Sequence, residues 1–422
     1  MTTLDRRDFL GASLAGLGLL GTAGPLAGQW FTNGPPKDLS RPDTLFLTWQ
    51  RDPTTTMTIQ WIGPEKDHAG VAVHYAPFGG SDWFPLWKQA RPTVTPFPTT
   101  DHKVFRVELT GLTPGTEYQF GIGGRAKPLR FRTMPARLTD AFTFVSGGDC
   151  GVNPHAVANN VVAAKQDPMF ALLGGDLGYD NGRSASTSLA FQRNYSQTMI
   201  DGKGRLIPMV VCIGNHEVNG GYGKTRKEAP YFFALHDGLF ADASYAALDF
   251  GDYLSLVLLD TGHAAKIEGE QTAWLDKALA ARVEWPHLLV CNHVPAYPSF
   301  RAADVSDDKN TGTGSGNRKH WVPLFERYNV DIVLEHHDHT FKRTHPLKDG
   351  LRDPNGIVYL GDGSWGRLRV PKKAESRPYL ATANDAYHLT VHRIEGDVRY
   401  HLAVEETGKI LDVTTTRKRA RR

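Results

Sequence analysis

From Asp140 onward, five short apolar runs each end in residues able to bind metals or move protons. Phe144-Val145 leads into Gly148-Asp149-Cys150-Gly151, and Leu172-Leu173 into Gly175-Asp176-Leu177-Gly178-Tyr179. Cys212-Ile213 leads into Gly214-Asn215-His216-Glu217, Leu289 to Cys291 into Asn292-His293, and Val333-Leu334 into His336-His337-Asp338-His339. Taken singly these are ordinary: a Gly-Asp pair is usually a turn, and a histidine beside a buried strand a hydrogen-bonded structural residue. Two carboxylates, an amide oxygen, a phenol and three imidazoles can be drawn from them. That mixed oxygen and nitrogen set suits two transition metals sharing one carboxylate, and the chemistry of such a pair is the activation of water.

The elements that must position these donors are legible in the same runs. Phe142 to Val145, Phe170 to Leu173, Ile207 to Ile213, Leu254 to Leu259, Leu288 to Cys291 and Ile332 to Leu334 have no polar alternation. They read as strands buried on both faces, so helices must cover the sheet. Helix candidates are Ala156 to Lys165, Leu189 to Ile200, Glu270 to Arg282 and His320 to Tyr328. In an α/β sheet ligands bind beyond the carboxyl ends of the strands, so the five ends converge on one crevice. Thr311 to Gly316 reads as a mobile surface loop, and Tyr387 to Val404 as a hairpin turned at Glu395-Gly396-Asp397.

Between Pro42 and Met134 the pattern is different. Apolar residues alternate with period two in short segments, among them Met57/Ile59/Trp61, Phe105/Val107/Leu109 and Tyr118/Phe120/Ile122. Six or seven half-buried antiparallel strands in this span predict a β-sandwich. Leu112 to Tyr118 resembles the turn and tyrosine corner of a fibronectin type III domain, here placed at 40–135. The simplest role for it is an inert spacer, with Trp49, Trp61, Trp83 and Trp87 filling its core or lining a domain interface.

The five strand-end blocks, in this order, resemble the metallophosphoesterase superfamily and specifically its purple acid phosphatase branch. The blocks Gly-Asp-x-Gly, Gly-Asp-x-x-Tyr, Gly-Asn-His-Glu, a single His after a strand, and His-x-His span Asp140 to Gly366. The resemblance implies an α/β catalytic domain over 140–413, built as an αββα sandwich and preceded by the all-β fibronectin-like domain. It also implies that Asp149, Asp176, Tyr179 and His339 hold ferric iron, while Asp176 bridges to a divalent Fe, Zn or Mn held by Asn215, His293 and His337. His216 becomes the proton donor to the leaving group, with Asn215 and His216 in contact with a small phosphate ester; Tyr297 is read as a further substrate contact from its own place on the loop after His293. The implied reaction is hydrolysis of phosphate monoesters by a metal-activated hydroxide; a diesterase or nucleotidase is the alternative within the family, and a catalytically silent surface binding protein the one outside it.

This sequence departs from the family at several points. His336 stands where the family has glycine, which brings strain if that position needs positive φ and otherwise leaves a ring to pack or face solvent. Glu335 is placed to orient a ligand imidazole or to lie on the surface. His337 and His339, two apart on an extended segment, would point to the same side. The loop after His293 offers Tyr297, Arg301 and Lys309 where many plant members carry further histidines.

Composition bounds the rest. The chain has 422 residues, 48 Lys+Arg and 45 Asp+Glu, a soluble globular balance with a net charge of +3. Five positive charges lie among Arg417 to Arg422, so a basic tail (414–422) sits on a slightly acidic body and no specific nucleic-acid partner is expected. Arg6-Arg7 precedes an uncharged Gly/Ala/Leu-rich stretch, which resembles a twin-arginine export signal over 1–28 and predicts a periplasmic or extracellular protein. Phe9 to Leu26 is too short and glycine-rich for a comfortable span, so no membrane segment is expected after signal removal. Cys150, Cys212 and Cys291 read as buried free thiols. The oligomeric state is left open.

Overall fold

The computed structural model describes residues 41–418 apart from 69, 81–83, 124–127 and 307–309. The segment read as an export signal lies outside the described residues, as do Trp83, Lys309 and the last four residues of the chain. No helix among the described residues is long and apolar enough to cross a membrane.

The N-terminal domain is a pair of four-stranded antiparallel sheets. One runs Phe46–Thr48, Met57–Pro64, His102–Leu109, Thr93–Pro96; the other Lys88–Ala90, Val73–Pro77, Glu117–Ile122, Leu129–Arg132. Ile59 and Trp61 point into the sandwich, where Trp61 stacks on Phe105 with ring centroids 5.3 Å apart. The tyrosine corner is present: the Thr113 amide donates to the Tyr118 hydroxyl at 2.9 Å.

The other face of the Met57–Pro64 strand is not solvated. Thr58 and Gln60 are fully buried, because this face docks on the second domain. Gln60 Nε2 donates to the Leu235 carbonyl at 3.0 Å, Arg106 pairs with Asp237 at 2.6 Å, and Trp49 packs edge-on against Phe170 and Phe250. The sandwich is therefore not loosely tethered, since aromatic and polar contacts fix it to the second domain. One landing point is the helix Pro230–His236, whose aromatic Tyr231-Phe232-Phe233 run was not anticipated as a helix.

The second domain holds two mixed sheets. The six-stranded sheet runs Met209–Val211, Ala171–Leu173, Phe142–Gly147, His388–Glu395, Val398–Glu405, Ile410–Arg417, with the first three strands parallel. The seven-stranded sheet runs Ala246–Phe250, Leu254–Leu259, His287–Asn292, Ile332–Glu335, Val358–Asp362, Phe341–Thr344, Leu380–Asn384, with parallel pairing from Leu254–Leu259 to Val358–Asp362. Unbroken apolar runs follow from this layering. Leu256, Leu258, Leu289, Cys291, Ile332 and Leu334 join the core shared with the six-stranded sheet. Their neighbours Val257, Leu259, Leu288, Val290 and Val333 face Leu275, Leu279, Trp321 and Phe325 on the helical side. On the opposite flank the helices Pro154–Lys165 and Ala185–Thr198 pack together, the first also against the strand His388–Glu395. The order is helix, sheet, sheet, helix.

Other expectations need adjustment. The helix read at His320 to Tyr328 is two, Ser315–His320 and Val322–Arg327, with Pro323 in the first turn of the second, where its missing N–H is harmless. Thr311–Gly312 is not a free loop but pairs with Ala303–Asp304. The basic tail begins later than 414: Ile410–Arg417 is an edge strand, and the Lys418 amide donates to the Asp397 carbonyl at 2.8 Å. All three cysteines are buried, and none is in a disulfide.

Candidate metal centre

Asp149, Asp176, His337 and His339 share a backbone feature that their sequence spacing concealed. Their φ values are 57°, 55°, 72° and 59°, in the left-handed region that L-residues seldom adopt. Each such residue costs of order 1 kcal/mol and persists only when its surroundings hold it. Here the strand-end turns hold one another. The Asp149 amide donates to the Gly175 carbonyl and that of Cys150 to the Asp176 carbonyl, both at 2.9 Å. The His337 amide donates to Asp149 Oδ2 at 2.7 Å, and the His216 amide to Asp176 Oδ1 at 2.8 Å. His337 and His339 thus do not sit on an extended segment; two left-handed residues aim them into two neighbouring donor groups.

In the first group Asp149 Oδ1 lies 3.0 Å from both the Tyr179 hydroxyl and His339 Nε2, and the hydroxyl lies 3.1 Å from the same imidazole nitrogen. In the second, His293 Nε2 lies 3.1 Å from Asn215 Oδ1, 3.0 Å from His337 Nδ1 and 3.3 Å from Asp176 Oδ2. Candidate donor atoms of Asp149, Asp176 and His339 lie within 4.8 Å of one another, as do those of Asp176, His293 and His337. Asp176 belongs to both groups.

The chemistry of the donors fits cations. Asp176 Oδ2 is buried with no hydrogen-bond partner, a costly state for a carboxylate oxygen unless a cation faces it. His293 Nδ1 sits 2.8 Å from the Gly174 carbonyl, which makes Nδ1 the protonated nitrogen and turns the Nε2 lone pair toward the amide oxygen of Asn215. Two acceptors facing each other at that distance call for a positive charge between them. Burial, then the charge of Asp149, push the Asp176 carboxyl up to about 7. For Asp149 burial acts the same way, but His339, His293 and His337 outweigh it and hold the carboxyl below the usual range. Burial and the two aspartates raise the Tyr179 phenol.

Residues around the donors take roles that spacing could not assign. Glu217 is buried and accepts from the amides of Asp176, Gly214 and Leu177 at 2.7, 2.8 and 2.8 Å, which ties two ligand turns together. Asp338 accepts from the amides of Ser299 and Phe300 at 2.6 and 2.7 Å. His336 is buried and carries no positive φ, so the strain question does not arise. Its ring fills space left by glycines: a Cβ on Gly174 would overlap it, and one on Gly148 would come within 2.6 Å. Glu335 orients no imidazole, but accepts from Lys342 Nζ at 2.5 Å and the Ala296 amide at 2.6 Å.

His216 lies at the edge of the cluster, partly exposed, with its ring centroid 4.3 Å from that of Tyr179 and Nε2 3.9 Å from Asp176 Oδ2. A groove of about 500 Å³ opens there, and its lining includes Tyr179, His216, His339, Arg367 and Arg369. Tyr297 does not reach it. That residue is 1% exposed and packs against Tyr359 and Tyr379, so the substrate contact expected of it is corrected to a core role. Arg301 is occupied with Asp338 at 2.8 Å and the His337 carbonyl. Arg367, Arg369 and Tyr222, whose hydroxyl lies 3.2 Å from His337 Nε2, went unread. A sixth strand end, Val358–Asp362 followed by Gly363 to Arg369, carried the signal for the arginines.

Comparison with known proteins bears on both domains. Residues 42–144 match the family model described as the N-terminal domain of purple acid phosphatase, and residues 147–341 that of calcineurin-like phosphoesterase. The chain belongs to the purple acid phosphatase branch of the calcineurin-like phosphoesterases. Relatives include the human acid phosphatase type 7, 26% identical, covering 88% of this chain and 90% of its own. Purple acid phosphatase 23 of Arabidopsis thaliana is also 26% identical, covering 78% of each. A purple acid phosphatase from yellow lupin (Lupinus luteus) seeds has the same fold, with a TM-score of 0.72 at 17% identity over 88% of this chain and 73% of that one. As a purple acid phosphatase the protein is a phosphate-ester hydrolase, and the family implies a binuclear centre. Asp149, Tyr179 and His339 would hold one cation, Asn215, His293 and His337 the other, with Asp176 between them.

Proposed function

We propose that this purple acid phosphatase is exported and hydrolyses phosphate monoesters at acid pH, with ferric iron in the Asp149/Tyr179/His339 half and divalent Fe, Zn or Mn in the other. The observation that carries the reading is the buried, unpartnered Asp176 Oδ2 set between one donor group rich in anionic oxygen and one of neutral donors. Two cations held there supply the charge that neutralises a phosphoryl group and activates water.

The protein's own residues supply the rest. Glu217 and the crossed backbone bonds keep the donors fixed, so little reorganisation is needed when substrate binds. His216, at the groove and beside Asp176, is placed to donate a proton to the leaving oxygen. Burial lowers its imidazole below the ordinary value, so the donating form is populated on the acid side. The Arg6-Arg7 signal supports export after folding.

The test is a visible spectrum and metal analysis of the purified protein, with turnover of p-nitrophenyl phosphate and bis(p-nitrophenyl) phosphate. A broad visible band, two metals per chain including iron, and preference for the monoester are expected. A colourless dizinc or dimanganese protein would remove the tyrosinate-iron assignment, and preference for the diester would move the reading to a phosphodiesterase.

A further inference from the structure

The segment that follows the strand Val358–Asp362 is held rigidly against the metal cluster. The Trp365 and Gly366 amides donate to the Gly148 and Asp149 carbonyls, both at 3.1 Å, and the Arg369 amide to the His339 carbonyl at 2.8 Å. Trp365 is buried, with Nε1 donating to Asn160 Oδ1 at 2.9 Å. Arg367 and Arg369 therefore extend from fixed backbone into the lining of the same groove as Tyr179, His216 and His339.

Both guanidinium groups keep their donors unspent. Arg367 lies over the Tyr179 ring, 4.1 Å from its centroid, and Arg369 over Phe300 at 5.0 Å. Among the described residues neither makes a side-chain hydrogen bond or an ion pair. Neighbouring arginines differ: Arg301 is spent on Asp338, and Arg377 on the carbonyls of Pro298 and Arg301. Two forked cations on rigid backbone, stacked on aromatic faces and free to donate, form a recognition site for an anion.

We infer that Arg367 and Arg369 bind a second phosphoryl group of the substrate, so that the preferred substrates are bisphosphorylated small molecules, one group at the cluster and one at the arginines. This rests on the phosphatase reading. If the arginines instead grip the phosphoryl being transferred, every ester suffers equally when they are lost.

Propyl phosphate and 1,3-propanediol bisphosphate, which differ only in the second group, separate the two on metal-loaded full-length protein. Wild type is expected to favour the bisphosphate in kcat/KM by at least about tenfold, the scale of one or two charge-assisted hydrogen bonds. In the R367Q/R369Q protein that ratio should fall to near one, mainly through KM, and R367K/R369K should restore part of it. A wild-type ratio near one, or an equal fall for both substrates in the glutamine variant, overturns the inference. Titration with 1,3-propanediphosphonate and with propylphosphonate, neither of which is hydrolysed, gives a readout independent of turnover: binding of the first should weaken at least about tenfold in the glutamine variant and that of the second hardly, and equal weakening or unchanged binding of both also overturns the inference. If wild type turns over neither ester, the phosphatase reading fails, and the diphosphonate titration still decides the role of the arginines.

Discussion

The two halves of the metal centre share Asp176 and little else. One half gathers a carboxylate, a phenol and an imidazole from Asp149, Tyr179 and His339. The other gathers an amide oxygen and two imidazoles from Asn215, His293 and His337, all neutral. Hard anionic oxygen favours a cation of high charge, whereas neutral imidazole and amide suit a borderline divalent one. One bridging carboxylate can therefore serve two unlike ions, and discrimination resides in the donors that are not shared.

Removing the shared donor should abolish the contrast. Asp176→Ala is expected to release both cations and lower kcat/KM by roughly 10³-fold or more, checked by metal analysis beside steady-state assays. Removing one unshared donor should expose the contrast. His293→Ala is expected to leave about one metal per chain with the visible band kept, and Tyr179→Phe to lose the band while the divalent ion stays. If both variants lose the same ion, the halves are not distinct. Glu217→Gln should weaken both halves together, by roughly 10- to 100-fold in metal affinity, because its carboxylate holds the turns of Asp176 and Gly214 at once.

The smallest effect lies outside both halves and separates loss of fold from loss of metal. His236, in the docking helix, is pushed down to about 3 by burial and then by Arg106, so it stays neutral in the fold while the unfolded chain takes up a proton below about 6.5. Stability from this group is present at neutral pH and is lost as pH falls from about 6.5 toward 3, at up to roughly 1.4 kcal/mol per pH unit. Thermal midpoints of wild type and His236→Leu between pH 7 and 4.5 should show a shallower decline in the variant. Equal slopes would assign the acid sensitivity elsewhere.

Much of this architecture was legible because two signals coincided. Apolar runs without alternation marked strands covered on both sides, and the polar residues closing them marked the crevice. What failed depended on contacts distant in sequence. Thr58 and Gln60 read as a solvated strand face, since nothing local announces that Leu235 will cover it. Tyr297 stood in a polar-looking Pro-Ala-Tyr-Pro-Ser segment, yet Tyr359 and Tyr379 bury it. Arg367 and Arg369 escaped because they ligate nothing. The left-handed backbone of His337 and His339 left no trace in the spacing either, because glycine, the usual marker of that conformation, is absent from both positions.

The ring of His336 beneath Gly174 and Gly148 makes these positions interdependent. Alanine at 174 collides with the imidazole, and glycine at 336 leaves a hole beneath the bridging aspartate's turn. Either change alone disturbs the cluster, whereas the two made together exchange bulk for space. Glycine at 336 is therefore best accommodated together with a side chain at 174, so the residue at one site constrains what the other can hold.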